Sequence, residues 1–205
     1  MSLDRFVAPA NLSTDAIFSV DDDVLVACPS LNFAFRAFQA SPHTTVGFIP
    51  RLHVLRPRRP QSSQPSYSYR HWWSIWWSGR YSIILTKACF LNRHHLTLYH
   101  HHTPQHLLRF VEEKRNCEDI LMSFVVANAT GQPPVWVEGS YSDSGGMGGI
   151  STGSGHAAMR DRCLDIFASE FGRMPLRTTQ TIVRPSSSKV SILQPACWLE
   201  YFSPP

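Results

Sequence analysis

The chain has 205 residues, with 19 Lys+Arg against 15 Asp+Glu, a net charge of +4, 43% hydrophobic positions and 17% charged ones. That length is one domain's worth, and the apolar fraction excludes a disordered chain. No apolar run approaches the ~18 residues of a membrane helix, and the opening MSLDRF lacks the regions of a signal peptide, so neither anchor nor signal is read here.

Residues 15–20 form a short apolar run that ends in Asp21-Asp22-Asp23 and resumes as Val24-Leu25-Val26, the pattern of a buried strand opening into a polar turn. Over 29–40, Leu31, Phe35 and Phe38 recur at helical spacing, with Ser30 as the N-cap. Residues 45–50 read as a strand. From 51 to 66 Pro, Arg, Ser and Gln replace any period, which predicts a surface loop. The aromatic stretch 67–85, around Trp72, Trp73, Trp76 and Trp77, suits strands. Helical patterns cover 87–99, 104–113 and 117–127, and a strand at 135–137 follows Pro133-Pro134. A Gly/Ser-rich segment spans 144–155, and the last helix, 156–171, is stopped by Gly172. After Leu176 the pattern dissolves into a tail, 178–205, with no predicted order. Strands alternating with helices predict an α/β layered domain with a mixed sheet. Ligands of such sheets gather at the carboxyl ends of strands, where the aspartates lie.

Charge is segregated. Between Asp23 and Glu112 no acidic residue occurs while ten Lys/Arg do, so this stretch is +10 and the rest −6. One part of the molecule therefore faces an anion: a nucleotide diphosphate, a phospholipid head group or nucleic acid. No nucleic-acid-binding module surrounds the Arg-rich loop, which sets the last class aside. The five cysteines form no C-x-x-C pair, which argues against a zinc ribbon or thioredoxin motif. Two N-x-[ST] sequons, at Asn11 and Asn128, matter only in a secretory compartment.

Three groups of residues carry candidate chemistry. In an extended chain Asp21 and Asp23 share one side and Asp22 takes the other, so two carboxylates can converge on a hard divalent cation; an acidic turn held by Asx hydrogen bonds is the competing reading. Asn116-Cys117-Glu118-Asp119 opens a helix. Capping by Asn116 and the helix dipole account for both acids, and the functional reading makes Asp119 a carboxylate facing a reacting sugar. The glycines of 145–155 match neither a dinucleotide fingerprint nor a phosphate loop and read as a lid over a bound nucleotide. His156 and Arg160, four apart, share a helix face able to address an anion, or form a solvated pair. In the same helix Met159, Cys163 and Phe167 make an apolar stripe that turns Cys163 inward. The six histidines from His94 to His106 read as a polar helix end and not as a metal site. The four tryptophans read as core rather than as a sugar platform.

Taken in order, SVDDDV at 19–24, VGFIPR at 46–51, WWSIWWSGRYSIIL at 72–85, NCEDILMSFVVANATG at 116–131, H-x-x-x-R-x-x-C at 156–163 and FGRMPL at 171–176 resemble the exostosin-type glycosyltransferases, family 64, and most of all their plant branch. The resemblance covers residues 3–177. It implies a GT-A fold and a Mn²⁺-dependent, retaining transfer of a hexose or N-acetylhexosamine from a UDP- or GDP-linked donor to a glycan or glycolipid, in plants a glycosyl inositol phosphorylceramide. Carried over by position, Asp21 and Asp22 would contact the donor and Asp23 the metal. Asp119 would lie at the anomeric carbon, Glu118 near the acceptor and Arg5 near the nucleotide, while Arg160 would neutralise the diphosphate or position the acceptor. Cys117 and Cys163 match a disulfide pair, which with the sequons implies the Golgi lumen. The sequence departs from the family in the Arg/Pro-rich loop at 55–65, in the tail, and in starting only twenty residues before Asp21, upstream of which relatives have an anchor and further strands. The expected unit is thus 1–177 as a partial GT-A domain, incomplete at its N-terminus. The alternative is a shortened, non-catalytic remnant that binds a partner or nothing.

Overall fold

The computed structural model describes residues 6–7, 11–57, 64–144 and 156–186. In chain order the elements are β1 (Ala16–Val20), β2 (Val24–Val26), α1 (Cys28–Ala40), β3 (Val46–Gly47), β4 (Pro50–Leu55), β5 (Tyr67–Arg70), α2 (Trp72–Ser78) and β6 (Ile83–Ile84). There follow β7 (Ala88–Asn92), α3 (Arg93–His101), α4 (Gln105–Lys114), α5 (Glu118–Thr130), β8 (Val135–Val137), β9 (Tyr141–Asp143), α6 (His156–Glu170) and β10 (Ile182–Val183). The expected α/β layering with a mixed sheet is present. A five-stranded sheet runs β1-β7-β3-β8-β10, with β7 antiparallel to both β1 and β3, and β8 parallel to both β3 and β10. A three-stranded sheet (β5-β4-β6) and a two-stranded one (β2-β9) complete it.

Strand β7 is the pivot of the large sheet and corrects the helix expected over 87–99. Ala-Cys-Phe-Leu is buried throughout, as befits a strand covered on both faces, and such a run carries no period of its own. The helix starts only at Arg93, where the Asn92 side chain accepts the His94 N–H at 2.9 Å. Gly47 lets β3 lie against β7, for a Cβ there would stand 2.5 Å from the Ala88 carbonyl oxygen. Helix α5 is buried along its whole middle, from Ile120 to Ala127, and Phe124 meets the rings of Phe167 and Phe171, each at 5.7 Å. Between Ile120 and Ala127 it is a core helix without an exposed face, packed on α3, α6 and β6.

Other boundaries move for identifiable reasons. The loop expected over 51–66 contains strand β4 up to Leu55, paired with both β5 and β6; Arg51 and His53, alternating with Leu52, mask its period of two. Residues 58–63 of that loop, the Gly-rich residues 145–155 and Arg5 lie outside the described residues. Ser30 is not an N-cap. Ala27 holds that position, Pro29 sits in the first turn, and the buried Ser30 Oγ accepts the Ser140 N–H at 2.9 Å. The chain past Leu176 keeps order to the end of β10 because Tyr81 holds it. The phenol hydroxyl donates to the Thr181 carbonyl oxygen at 2.5 Å and accepts the Trp136 N–H at 2.8 Å, and burial pushes its pKa up to about 12.

Edge strand β5 is satisfied from the side by α6. Asp165 accepts the Tyr67 N–H and Asp161 the Tyr69 N–H, both at 2.6 Å, and Asp161 also pairs with Arg56. Carboxylates four apart on a helix face thus stand in for a neighbouring strand.

Two histidines, His53 half-buried and His95 buried, make stability depend on acidity. His53 Nδ1 lies 2.8 Å from Ser82 Oγ and His95 Nδ1 accepts the Asn92 N–H at 3.3 Å; burial lowers both pKa values from 6.5 to about 4. The unfolded chain protonates near 6.5 while the folded one stays neutral. Their contribution is therefore complete above pH 6.5 and is lost as pH falls from 6.5 to 4. Urea unfolding should give a flat midpoint between pH 7 and 8 and a falling one from 6.5 downward, at about 1.4 kcal/mol per site per pH unit within the window. A midpoint unchanged at pH 5 would contradict this.

Candidate active site

The turn after β1 is tight. The Val24 N–H bonds the Asp21 carbonyl at 3.1 Å, so the aspartates form a β-turn joining the large sheet to β2. This corrects the extended alternation expected of Asp21 and Asp23: the turn leaves Asp22 exposed and both its neighbours half-buried.

Beside this turn lies the connection from β6 to β7. The Asp21 N–H donates to the Lys87 carbonyl at 3.1 Å. One residue earlier, both the N–H (2.8 Å) and the hydroxyl of Thr86 donate to Asp119 Oδ1. Adjacent residues 86 and 87 therefore bind the helix carboxylate and the strand-end aspartates, and the two sit on one side of the molecule. On the other side of the turn β2 pairs with β9, Val24 opposite Asp143, and Ser144 N–H bonds the Asp23 carbonyl at 3.0 Å. Lys87 forms an ion pair with Asp143.

Helix α5 reaches the site without the predicted cap. Cys117 occupies the N-cap position at φ 75°, and the Asn116 side chain instead accepts the Cys117 N–H at 2.8 Å. Asn116 Oδ1 also faces Arg160 Nε at 3.4 Å, and the Arg160 guanidinium lies 5.2 Å from the centre of the Tyr69 ring. Cys117 and Cys163 are joined by a disulfide, Cα to Cα 6.4 Å, which ties the start of α5, just before Asp119, to the turn of α6 that follows Arg160. Cys89 is buried in β7.

Sequence reading missed several residues at this place: Arg51, Tyr69, Thr86, Lys87, Tyr141 and Asp143. Burial pushes the Tyr69 hydroxyl above its ordinary pKa, with Arg51 and Arg160 opposing and Asp119 reinforcing. Tyr141 is raised likewise by burial, between Arg51 and Asp143. His71 is lowered by burial and by the same two guanidinium groups. Arg51 stands inside the VGFIPR motif, but nothing in a single sequence distinguishes it from the other nine basic residues of its stretch.

Three buried polar atoms here lack any hydrogen-bond partner among the described residues: Asp23 Oδ1, Asp143 Oδ1 and Arg51 Nε. A buried carboxylate oxygen without a donor is costly. Two such oxygens at neighbouring register positions, with guanidinium groups close by, fit a hard cation and the anion it would accompany. Among the described residues no group of three or more His, Cys, Asp or Glu is assembled, so two carboxylates are what the described residues offer here.

The glycosyl transferase family 64 domain model matches residues 1–187. The chain belongs to glycosyl transferase family 64. It is 44% identical over 172 residues to the glycosylinositol phosphorylceramide mannosyl transferase 1 of Arabidopsis thaliana, an alignment covering 84% of this chain and 51% of that protein. It is 35% identical over 199 residues to exostosin-1a of Danio rerio and to exostosin-1 of Mus musculus, covering 93% of this chain and 26% and 25% of theirs. The chain thus spans about half the length of the plant relative and a quarter of the animal ones. The family-64 chain contains no helix among its described residues long and apolar enough to cross a membrane.

The disulfide closes a sequence separation of 46 residues. The double change Cys117→Ala and Cys163→Ala should lower stability by about 2–4 kcal/mol. Denaturation of this variant beside the unaltered chain reads this out, and equal midpoints would show that the bridge constrains nothing.

Proposed function

We propose that this chain is the catalytic unit of a retaining glycosyltransferase that moves a hexose, or an N-acetylhexosamine, from a UDP- or GDP-linked donor with the help of Mn²⁺. The observation that carries the reading is the shared anchoring of Asp119 and the aspartate turn on residues 86 and 87, with Asp23 Oδ1 buried and unpaired beside them. A mixed sheet whose first strand ends in that turn supports a GT-A arrangement, with residues 1–177 as the working domain and β10 an added strand.

Asp23 would hold the metal, aided by Asp143, and oxygens of the donor diphosphate would fill the remaining positions. When bound, Mn²⁺ would neutralise charge that develops on the departing diphosphate. The chain's own groups do the rest. Thr86 fixes Asp119 through two bonds to a single oxygen, so the carboxylate can face the positive charge developing at the anomeric carbon without reorganising. Retention needs the acceptor oxygen to arrive on the face the diphosphate leaves, and Glu118, next to Asp119 in sequence, would lie near that acceptor. Arg160, and with it Arg51, would meet the diphosphate or orient the acceptor. Asp21 and Asp22 would contact the donor, as would Arg5.

Similarity to the plant mannosyl transferase supports mannose and a glycosylinositol phosphorylceramide as the donor sugar and acceptor. The disulfide supports an oxidising compartment, the Golgi lumen in this reading, where Asn128, exposed on α5, would be open to glycosylation.

Transfer from GDP-mannose or a UDP-sugar with Mn²⁺ tests this. Asp23→Ala and Asp119→Ala should each lower turnover by at least about a hundredfold, and Asp119→Asn, which keeps the Thr86 bonds, should do the same through lost charge. Full turnover in the variants would refute the assigned roles. Absence of calorimetric heat from UDP and GDP with Mn²⁺ in the unaltered chain would favour the non-catalytic remnant.

A further inference from the structure

The tryptophans of 72–77 are expected in core strands, and the structure places them otherwise. They form α2, closed by Gly79 at φ 62°, and only Ile75 turns inward. Trp73, Trp76 and Trp77 are 71%, 62% and 80% exposed. Three indoles in solvent on one short helix form an apolar patch of the kind that marks an interaction surface.

We propose that α2 is a docking surface for a membrane whose lipids carry negative charge. The first argument is chemical. Indole rings have an apolar body and a polar N–H, and they concentrate at the head-group level of bilayers. The second is charge complementarity. Arg70 and Arg80 flank the helix, are both exposed, and carry no ion pair among the described residues. The sequence from 24 to 111 contains no acidic residue at all. Tryptophan with flanking arginine and no carboxylate is the pattern of an interfacial helix drawn to anionic lipid.

Two other occupants fit less well. A second copy docking patch to patch would bring Arg70 and Arg80 against their own equivalents, with no acid in the helix or its sequence flanks to offset them. A sugar chain needs an open, flat ring face. Here Trp73 and Trp76 stand at 88° and Trp76 and Trp77 at 76°, so the three rings share no common plane along which a sugar chain could lie. The inference does not rest on the proposed transfer, because it is read by binding alone.

The experiment is flotation of the full chain with vesicles of pure phosphatidylcholine and of equal parts phosphatidylcholine and phosphatidylserine. The chain should bind the mixed vesicles, less so as salt is raised, with tryptophan emission shifted to the blue and quenched by brominated acyl chains. The triple variant W73A/W76A/W77A should partition about tenfold or more weakly at an unchanged melting temperature. R70E/R80E, which keeps every indole, should lose the preference for the mixed vesicles. No binding by the unaltered chain, equal binding by the triple variant, or equal binding to both vesicle types would overturn the proposal. So would dimerisation on ultracentrifugation, or quenching by soluble oligosaccharide, that the triple variant abolishes while vesicles are ignored.

Discussion

The hydroxyl and amide hydrogens of one threonine, both directed at Asp119 Oδ1, hold this molecule's candidate chemistry together. Asp119 belongs to a core helix and the aspartate turn to the end of an edge strand, far apart along the chain. The connection from β6 to β7 touches both. Its position is fixed by the strand it leads into: β7 lies between β1 and β3, buried through its first four residues, and cannot slip by one place without turning its apolar side chains out. Large-sheet packing is therefore what sets the distance between the two acids.

A second constraint fixes the basic side of the site. Strand β5 is an edge, and its outward N–H groups need acceptors. Asp161 and Asp165 of α6 supply them, while the disulfide ties α6 to the start of α5. Together they place Arg160 over Tyr69 and against Asn116. An arginine is a long side chain with much rotamer freedom to lose, so a fixed guanidinium needs this kind of support. Several buried polar atoms at the site remain without partners among the described residues, and a site that keeps such atoms is organised for a ligand that satisfies them.

The same fold leaves α2 outside both constraints. Its one buried residue is Ile75, Trp72 meets the Trp136 ring, and Trp73, Trp76 and Trp77 are given to solvent. Composition misleads here. Aromatics are common in strands and common in cores, and a seven-residue segment is too short for the period of a helix to declare itself. Likewise the arginine and histidine of β4 hide a strand. In β7 the reverse happens, for a run of wholly buried residues can be written into helix or strand with the same letters.

The sequence by itself determined the alternation of helices and strands, the aspartate turn at a strand end, the inward face of α6 with Cys163, and, through six ordered motifs, the family. These are local or collinear features, and a chain read one residue at a time contains them. Tertiary structure decided which residues meet. Thr86 with Asp119, Lys87 with Asp21 and Asp143, Arg51 with Tyr69 and Tyr141, and the exposure of α2 all depend on which strand lies beside which. Strand order is chosen by how buried faces fit across long stretches of chain, and no window of neighbouring residues records that choice.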